Sequence, residues 1–295
     1  MLESSDMRRR QKTRALLLLG LGICLILLGE ASVLFQVRPL NDWVTPLCWT
    51  GYLFLLDGLL FLWKKHSPFQ DNPVKFLWTF PLSTAFWLVF EGYNLILKNW
   101  EYLNLPQNLL VRSLGYSWAF GTILPALLET NAFLEALGLF KKLPIHARPI
   151  PRWGLHFSFS LGTLLLVYPL LFRTSFDVPA VWLSFIFLLE PITYRYGGAS
   201  LLKEMERGKM QHLFTLIVSG LWMGLLWEFW NFRAGVKWIY HIPYPTPFYI
   251  FEMPLTGFFG FIPFGVEFYV MYQATLLLIE RLRGCRRGRA VVHGI

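Results

Sequence analysis

Apolar residues run along this chain in long blocks separated by short polar and basic stretches. The blocks fall near 15–36, 43–63, 76–97, 114–140, 154–172, 178–195, 211–232 and 254–280. At roughly 18 to 27 residues each they are long enough, as helix, to cross about 30 Å of hydrocarbon. The pattern predicts an all-α polytopic membrane helix bundle of about eight transmembrane helices. A basic segment, Lys141 to Arg152, divides the blocks into two sets of four, giving a first repeat over 1–140, a linker over 141–153 and a second repeat over 154–295.

Internal similarity lines up across that linker. In the second block of each half, Trp49 precedes Asp57 by eight residues and Trp182 precedes Glu190 by the same distance. In the third, Glu91-x-x-Asn94 followed by Trp100-x-Tyr102 matches Glu228-x-x-Asn231 followed by Trp238-x-Tyr240. In the fourth, Pro125-x-x-x-Glu129 matches Pro263-x-x-x-Glu267. Three registers agreeing in order mark an internal repeat. Because each half holds an even number of spans, the two copies are expected to share one orientation, related by an axis along the membrane normal, with a site between them. The first and fifth blocks show no such match.

Composition agrees with a bilayer: 55% of residues are hydrophobic and 15% charged, with a mean hydropathy of +0.46. The net charge of +9 does not point to nucleic acid, because the basic residues alternate with the spans. With both termini cytoplasmic, the inner segments hold 21 of the 27 Lys and Arg, leaving Arg38, Lys98, Arg112, Arg173, Arg233 and Lys237 outside. This fits an integral protein of a bacterial inner membrane. The basic start lacks a small-x-small cleavage site after its apolar run, so it reads as a retained first helix. Cys24, Cys48 and Cys285 have neither disulfide nor zinc spacing.

The acids within the spans carry the candidate chemistry, since a carboxyl in mid-membrane costs about 2.5–3.5 kcal/mol on insertion scales and normally faces a cavity or a partner. The i,i+3 spacing puts Glu91 with Asn94, and Glu228 with Asn231, on one helical face, where the amide is expected to orient the carboxyl. An acid held in an apolar surround keeps a proton that it can give up, as a general acid must. Pro125 and Pro263 are expected to kink their helices one turn before Glu129 and Glu267. The aromatic stretch Leu226 to Tyr240, with Trp227 in it, suits cation–π shielding of a carbocation; the other reading for Trp238 and Tyr240 is an interfacial belt. Asp57 and Glu190, near Lys64 and Arg195, read as interfacial salt bridges. His241 reads as a solvated loop residue. The paired Glu and Asn have a further reading as hydrogen bonds between helices. No metal, cofactor or hydrolase motif is present: His-Glu-x-x-His, an Asp-rich diphosphate motif, a Gly-rich phosphate loop and Gly-x-Ser-x-Gly are all missing.

Each copy resembles the three-helix module of the integral-membrane lycopene cyclases, over about residues 50–140 and 180–280. The first copy carries Gly51-YLFLL-Asp57, then Glu91 with Trp100 and Tyr102, then Pro125 to Glu129. The second carries Glu190, Trp227-Glu228 with Trp238 and Tyr240, then Pro263 to Glu267. The family's Pro-x-Glu-Glu is replaced here by Pro-x-x-x-Glu. The resemblance implies redox-neutral chemistry without a cofactor, in which an acid protonates an alkene of an isoprenoid or related lipid, the cation cyclises, hydrates or isomerises, and a base removes a proton. Glu228 and Glu267 are then expected as donor and acceptor, with Glu91 and Glu129 as their equivalents. Asn94, Asn231, Trp100, Tyr102, Trp227, Trp238 and Tyr240 are expected around the substrate. A proton-coupled carrier of lipids or small molecules and a non-catalytic scaffold are the competing functional classes.

Overall fold

The computed structural model describes residues 2–143, 146–172, 174, 177–241 and 247–292, with side chains over 10–284. Arg173, residues 144 and 145 of the linker, and the side chains of Arg8, Arg9, Cys285, Arg286, Arg287 and Arg289 lie outside that description. The first half comprises α1 (Leu2–Leu34), α2 (Val44–Lys64), α3 (Pro68–Asp71), α4 (Pro73–Leu77), α5 (Thr79–Leu97), β1 (Trp100–Leu103), α6 (Leu109–Gly121) and α7 (Ile123–Ala136). The second comprises α8 (Arg152–Leu171), α9 (Asp177–Arg195), α10 (Leu201–Glu206), α11 (Gln211–Phe232), β2 (Lys237–Tyr240), β3 (Tyr249–Ile250), β4 (Met253–Pro254) and α12 (Phe261–Val292).

Among the described residues, seven helical segments are long and apolar enough to cross a membrane: 10–34, 40–64, 73–97, 152–171, 177–195, 211–232 and 255–284. The block over 114–140 is not among them. It breaks at Thr122 into α6 and α7, of 13 and 14 residues. The cause is local. Pro125 has no N–H to continue the ladder, and Ser83 of α5 takes up the groups left free: its Oγ donates to Phe120 O at 2.5 Å and accepts from Leu124 N at 2.9 Å. Pro125 is thereby the third residue of a new helix, where its missing N–H costs nothing. Pro263 is likewise the third residue of α12, after a 3₁₀ turn over Leu255–Gly260. Neither proline kinks a continuous helix.

Two short strand pairs accompany a structure that is otherwise a helical bundle. β1 and β2 run antiparallel with Trp100 opposite Tyr240 and Tyr102 opposite Trp238, and β3 pairs with β4. The β1–β2 ladder ties the two halves together just beyond the ends of α5 and α11.

Helix α2 lies at the centre, with 78% of its span buried, whereas the spans of α1 and α8 are 22% and 11% buried and sit at the periphery. α1 packs along α2 and α8 along α9, while α11 packs on α7 and α12, and α12 on α9. The α11–α12 crossing is set by glycine. A Cβ on Gly220 would collide with Phe261 O and stand 2.9 Å from Gly265 N, and one on Gly265 would collide with Leu216 O. Such small-residue contacts let helix backbones approach where no water-driven force acts between them.

Asp57 and Glu190 are buried, at 1% and 5% exposure, and are not surface salt bridges. Each accepts hydrogen bonds from the short helix that follows its own span. Asp57 takes Phe69 N at 3.1 Å and the Gln70 amide at 2.9 Å; Glu190 takes Leu202 N at 2.8 Å and Ser200 Oγ at 2.6 Å. The carboxyls satisfy N–H groups that a helix start leaves without partners, and the helix dipole favours a negative group there. Phe69 and Leu202 each stand twelve residues after their acids.

Gly220→Leu should destabilise the protein by more than the about 1–3 kcal/mol typical of overpacking, because backbone rather than side chain stands in the way. Thermal unfolding in detergent is expected to show a lowered midpoint. Gly92→Ala, with open space around its Cβ, should leave the midpoint unchanged or raised.

Candidate functional site

The two Glu/Asn/Trp/Tyr sets are assembled in the same way. Asn94 Nδ2 donates to Trp100 O at 2.9 Å, and its Oδ1 accepts from Trp100 N at 3.1 Å. Asn231 repeats both bonds with Trp238, at 2.8 and 2.9 Å. Each amide thus clamps the main chain of a strand to the end of a helix, which corrects the expectation that it orients the carboxyl. The strand then delivers a tyrosine to the acid. Tyr102 OH donates to Glu91 Oε1 at 2.5 Å, and Tyr240 OH donates to Glu228 Oε1 at 2.6 Å.

The surroundings of the two carboxyls differ. Glu91 is half-buried, and its Oε1 also accepts from Trp87 Nε1 at 2.8 Å and Trp100 Nε1 at 3.2 Å. Glu228 is fully buried, Trp238 Nε1 donates to the Tyr240 oxygen at 2.7 Å, and Glu228 Oε2 has no hydrogen-bond partner among the described residues. Gly224 stands where the first copy has Trp87, and the ring of Phe261 packs directly over it. Burial first, and the facing carboxyl second, push the hydroxyls of Tyr102 and Tyr240 well above the usual tyrosine range.

Both tyrosines form part of the wall of a cavity of about 760 Å³ between the two halves, at the end of the bundle that carries β1 and β2. That volume lies in the upper part of the range for small-molecule pockets, about 300–1,000 Å³. Trp43, Trp49, Trp87, Trp100, Trp182, Trp227 and Trp238 line it. Six of these form one connected cluster: Trp87 and Trp227 are 5.2 Å apart between ring centroids, Trp182 and Trp100 adjoin Trp87, and Trp49 and Trp238 adjoin Trp227. α2 and α9 contribute equivalent residues, Thr45 with Val178, Pro46 with Pro179 and Trp49 with Trp182.

The sequence expectation placed four glutamates at such a site. None of them lines this cavity. Glu91 and Glu228 stand behind the tyrosines that do. Glu267 is fully buried, with Oε1 accepting from Phe185 N of α9 at 3.1 Å. Glu129 is fully buried beside Asp57, and neither of its oxygens has a hydrogen-bond partner among the described residues. The hydrogen bonds of Glu228 and Glu267 run to different groups, the Tyr240 hydroxyl and Phe185 N. Trp100, Tyr102, Trp227, Trp238 and Tyr240 do line the cavity, whereas Asn94 and Asn231 hold it from behind. Trp43, Trp49, Trp87, Trp182 and Arg112 line it without having been expected there. Trp49 and Trp182 were visible in the sequence as anchors of the repeat; their meeting Trp87 and Trp227 was not. His241 is a half-exposed loop residue, with Nε2 3.1 Å from Glu101.

Asn231→Leu removes two hydrogen bonds and leaves a main-chain N–H and C=O unpaired, a loss of about 1–3 kcal/mol for each group stranded. A lower unfolding midpoint and a shifted tryptophan emission are expected, with Asn94→Leu smaller because that site is half-buried. A second expectation concerns alkaline pH. Unfolded chains release tyrosine protons near pH about 10 while Tyr102 and Tyr240 hold theirs, so stability conferred by these groups is present below that pH and lost as pH rises above it. Spectrophotometric titration should show Tyr102→Phe and Tyr240→Phe leaving unchanged the phenolate absorbance gained by the folded protein up to pH about 11.

Comparison of the chain with protein-family models, with curated proteins and with solved structures finds no match.

Proposed function

We propose that this protein is a membrane enzyme that holds an isoprenoid or related lipid in the tryptophan-walled cavity and carries out proton-initiated cyclisation, hydration or isomerisation. The observation that carries the reading is the placement of two Tyr–Glu pairs in and behind the wall of one aromatic cavity. Tyr240 is the catalytic residue in this scheme, with Glu228 as its proton source. With the carboxyl protonated, Glu228 donates to the Tyr240 oxygen and the Tyr240 proton turns toward an alkene carbon, so that one proton moves along two bonds. Trp238 Nε1, already bonded to that oxygen, steadies it as the proton leaves. The cation formed lies against indole faces, which attract it. A proton then leaves the cation, or leaves the oxonium formed when water adds to it, for the Tyr102 oxygen while Tyr102 passes its own proton to the Glu91 carboxylate; exchange with water discharges Glu91 and recharges Glu228, and no redox step is needed.

The same proposal includes the arrangement of the halves and of the membrane. A two-fold axis exchanging the copies places Trp100 on Trp238 and Tyr102 on Tyr240, and these are the partners that the β1–β2 register sets across from one another in crossed order. Two parallel repeats in a bacterial inner membrane, with both termini cytoplasmic, agree with that pairing and with the alternation of basic residues. A proton-coupled carrier is the second reading, favoured by Glu129, a fully buried carboxyl with no hydrogen-bond partner among the described residues and away from the cavity.

Lipid mass spectrometry of cells with and without the gene tests the enzyme. The expected result is a lipid shifted in retention at unchanged mass, or one gaining water, which disappears in Tyr240→Phe and Glu228→Gln with a loss on the order of 10²-fold or more in product. Glu267→Gln and Glu129→Gln should retain activity. An unchanged lipid profile, together with uptake or efflux abolished by Glu129→Gln, would replace the enzyme with the carrier.

A further inference from the structure

The charged side chains that line the cavity are not equally compensated. Asp42 Oδ1 lies 3.9 Å from Arg38 Nε, and Lys237 is bonded to Glu252. Arg112 has no carboxylate within ion-pair distance among the described residues. Its half-buried guanidinium is held in place by two hydrogen bonds to one carbonyl, Nε to Pro106 O at 3.0 Å and Nη2 to the same oxygen at 2.8 Å. Those bonds orient the planar fork and leave the Nη1 donors and one Nη2 donor for another acceptor. The neighbouring ring of Tyr116 stands in the fields of both Arg112 and Glu91, but the bonded oxygen of Glu91 already serves Trp87, Trp100 and Tyr102.

The position of Arg112 in the fold adds to the argument. It is the fourth residue of α6, in the first turn, where the helix dipole disfavours a cation. Asn108 already accepts from Leu110 N and Val111 N there. An oriented, partly desolvated guanidinium at the unfavourable end of a helix, beside a cavity walled by tryptophans, is the arrangement that a bidentate oxyanion would stabilise.

We infer that the molecule in this cavity is amphipathic: an isoprenoid body lies on the tryptophan wall and an anionic head of the phosphate class docks on Arg112. This rests on the cavity being the lipid site proposed above, and it separates an isoprenyl phosphate from a pure hydrocarbon.

Quenching of tryptophan fluorescence in detergent-purified protein tests it, with geranylgeranyl monophosphate, geranylgeraniol and squalene as probes. The wild type is expected to bind the phosphate at least about tenfold more tightly than the alcohol, by a margin that shrinks as salt is raised. Arg112→Gln should bring the two affinities together while leaving that for the alcohol unchanged, which also shows that the variant is folded; Arg112→Lys should retain part of the difference. Equal binding of phosphate and alcohol by the wild type, a preference surviving in Arg112→Gln, or displacement of the lipid by equimolar inorganic phosphate would overturn the inference and leave the lipid cavity standing. No saturable quenching by any of the three probes would overturn the lipid cavity itself.

Discussion

A carboxyl group inside a membrane has to find its hydrogen bonds within the protein, because hydrocarbon supplies none. Four acids of this chain, Asp57, Glu190, Glu91 and Glu228, meet that demand in ways that place the segments following their helices. Asp57 and Glu190 take theirs from the first turn of the helix that follows and so fix where each second span ends. Glu91 and Glu228 take theirs from tyrosines that reach back from a strand, and so require the strand to lie against the helix end. The asparagine clamps are the consequence: with main-chain N–H and C=O of Trp100 and Trp238 each satisfied by one amide, the strands are held where their tyrosines meet the acids.

The cavity is built on that framework. The clamps place Trp100 and Trp238 at its edge, and the ladder between β1 and β2 sets the two Tyr–Glu pairs near one another. The tryptophan cluster then fills the boundary between halves with large, apolar and polarisable faces, of the kind that attract positive charge. Divergence between the halves is concentrated here. Trp87 and Trp227 occupy comparable places in the cluster, yet they lie on neighbouring turns of the aligned helices, and Phe261 occupies the space that Gly224 leaves open.

Much of the framework was legible in the sequence. Apolar block length marks candidate spans, and the matched spacing of Glu91, Asn94, Trp100 and Tyr102 with Glu228, Asn231, Trp238 and Tyr240 is accompanied by matched hydrogen bonds, because short-range geometry recurs when residue spacing does. The break at Thr122 was hidden, since the residue that makes it tolerable, Ser83, belongs to another helix and looks like any small polar residue in a span. The role of the asparagines was hidden for a related reason. Helical spacing shows which side chains share a face, but Asn94 and Asn231 bond across a loop to main-chain atoms, which no pattern of side chains encodes. Asp57 and Glu190 looked paired with Lys64 and Arg195 because those cations are near in sequence, whereas helix-start N–H groups twelve residues on are nearer in space. Glu129 and Glu267 share the motif of a catalytic pair, and depth along a span alone does not say which way a helix turns them.

The ladder between β1 and β2 also bears on movement between the halves. Moving one half as a rigid body against the other would shear the four-residue strand pairing and strain both asparagine clamps at the rim of the hollow. A seam sewn shut at one end holds the two halves together there.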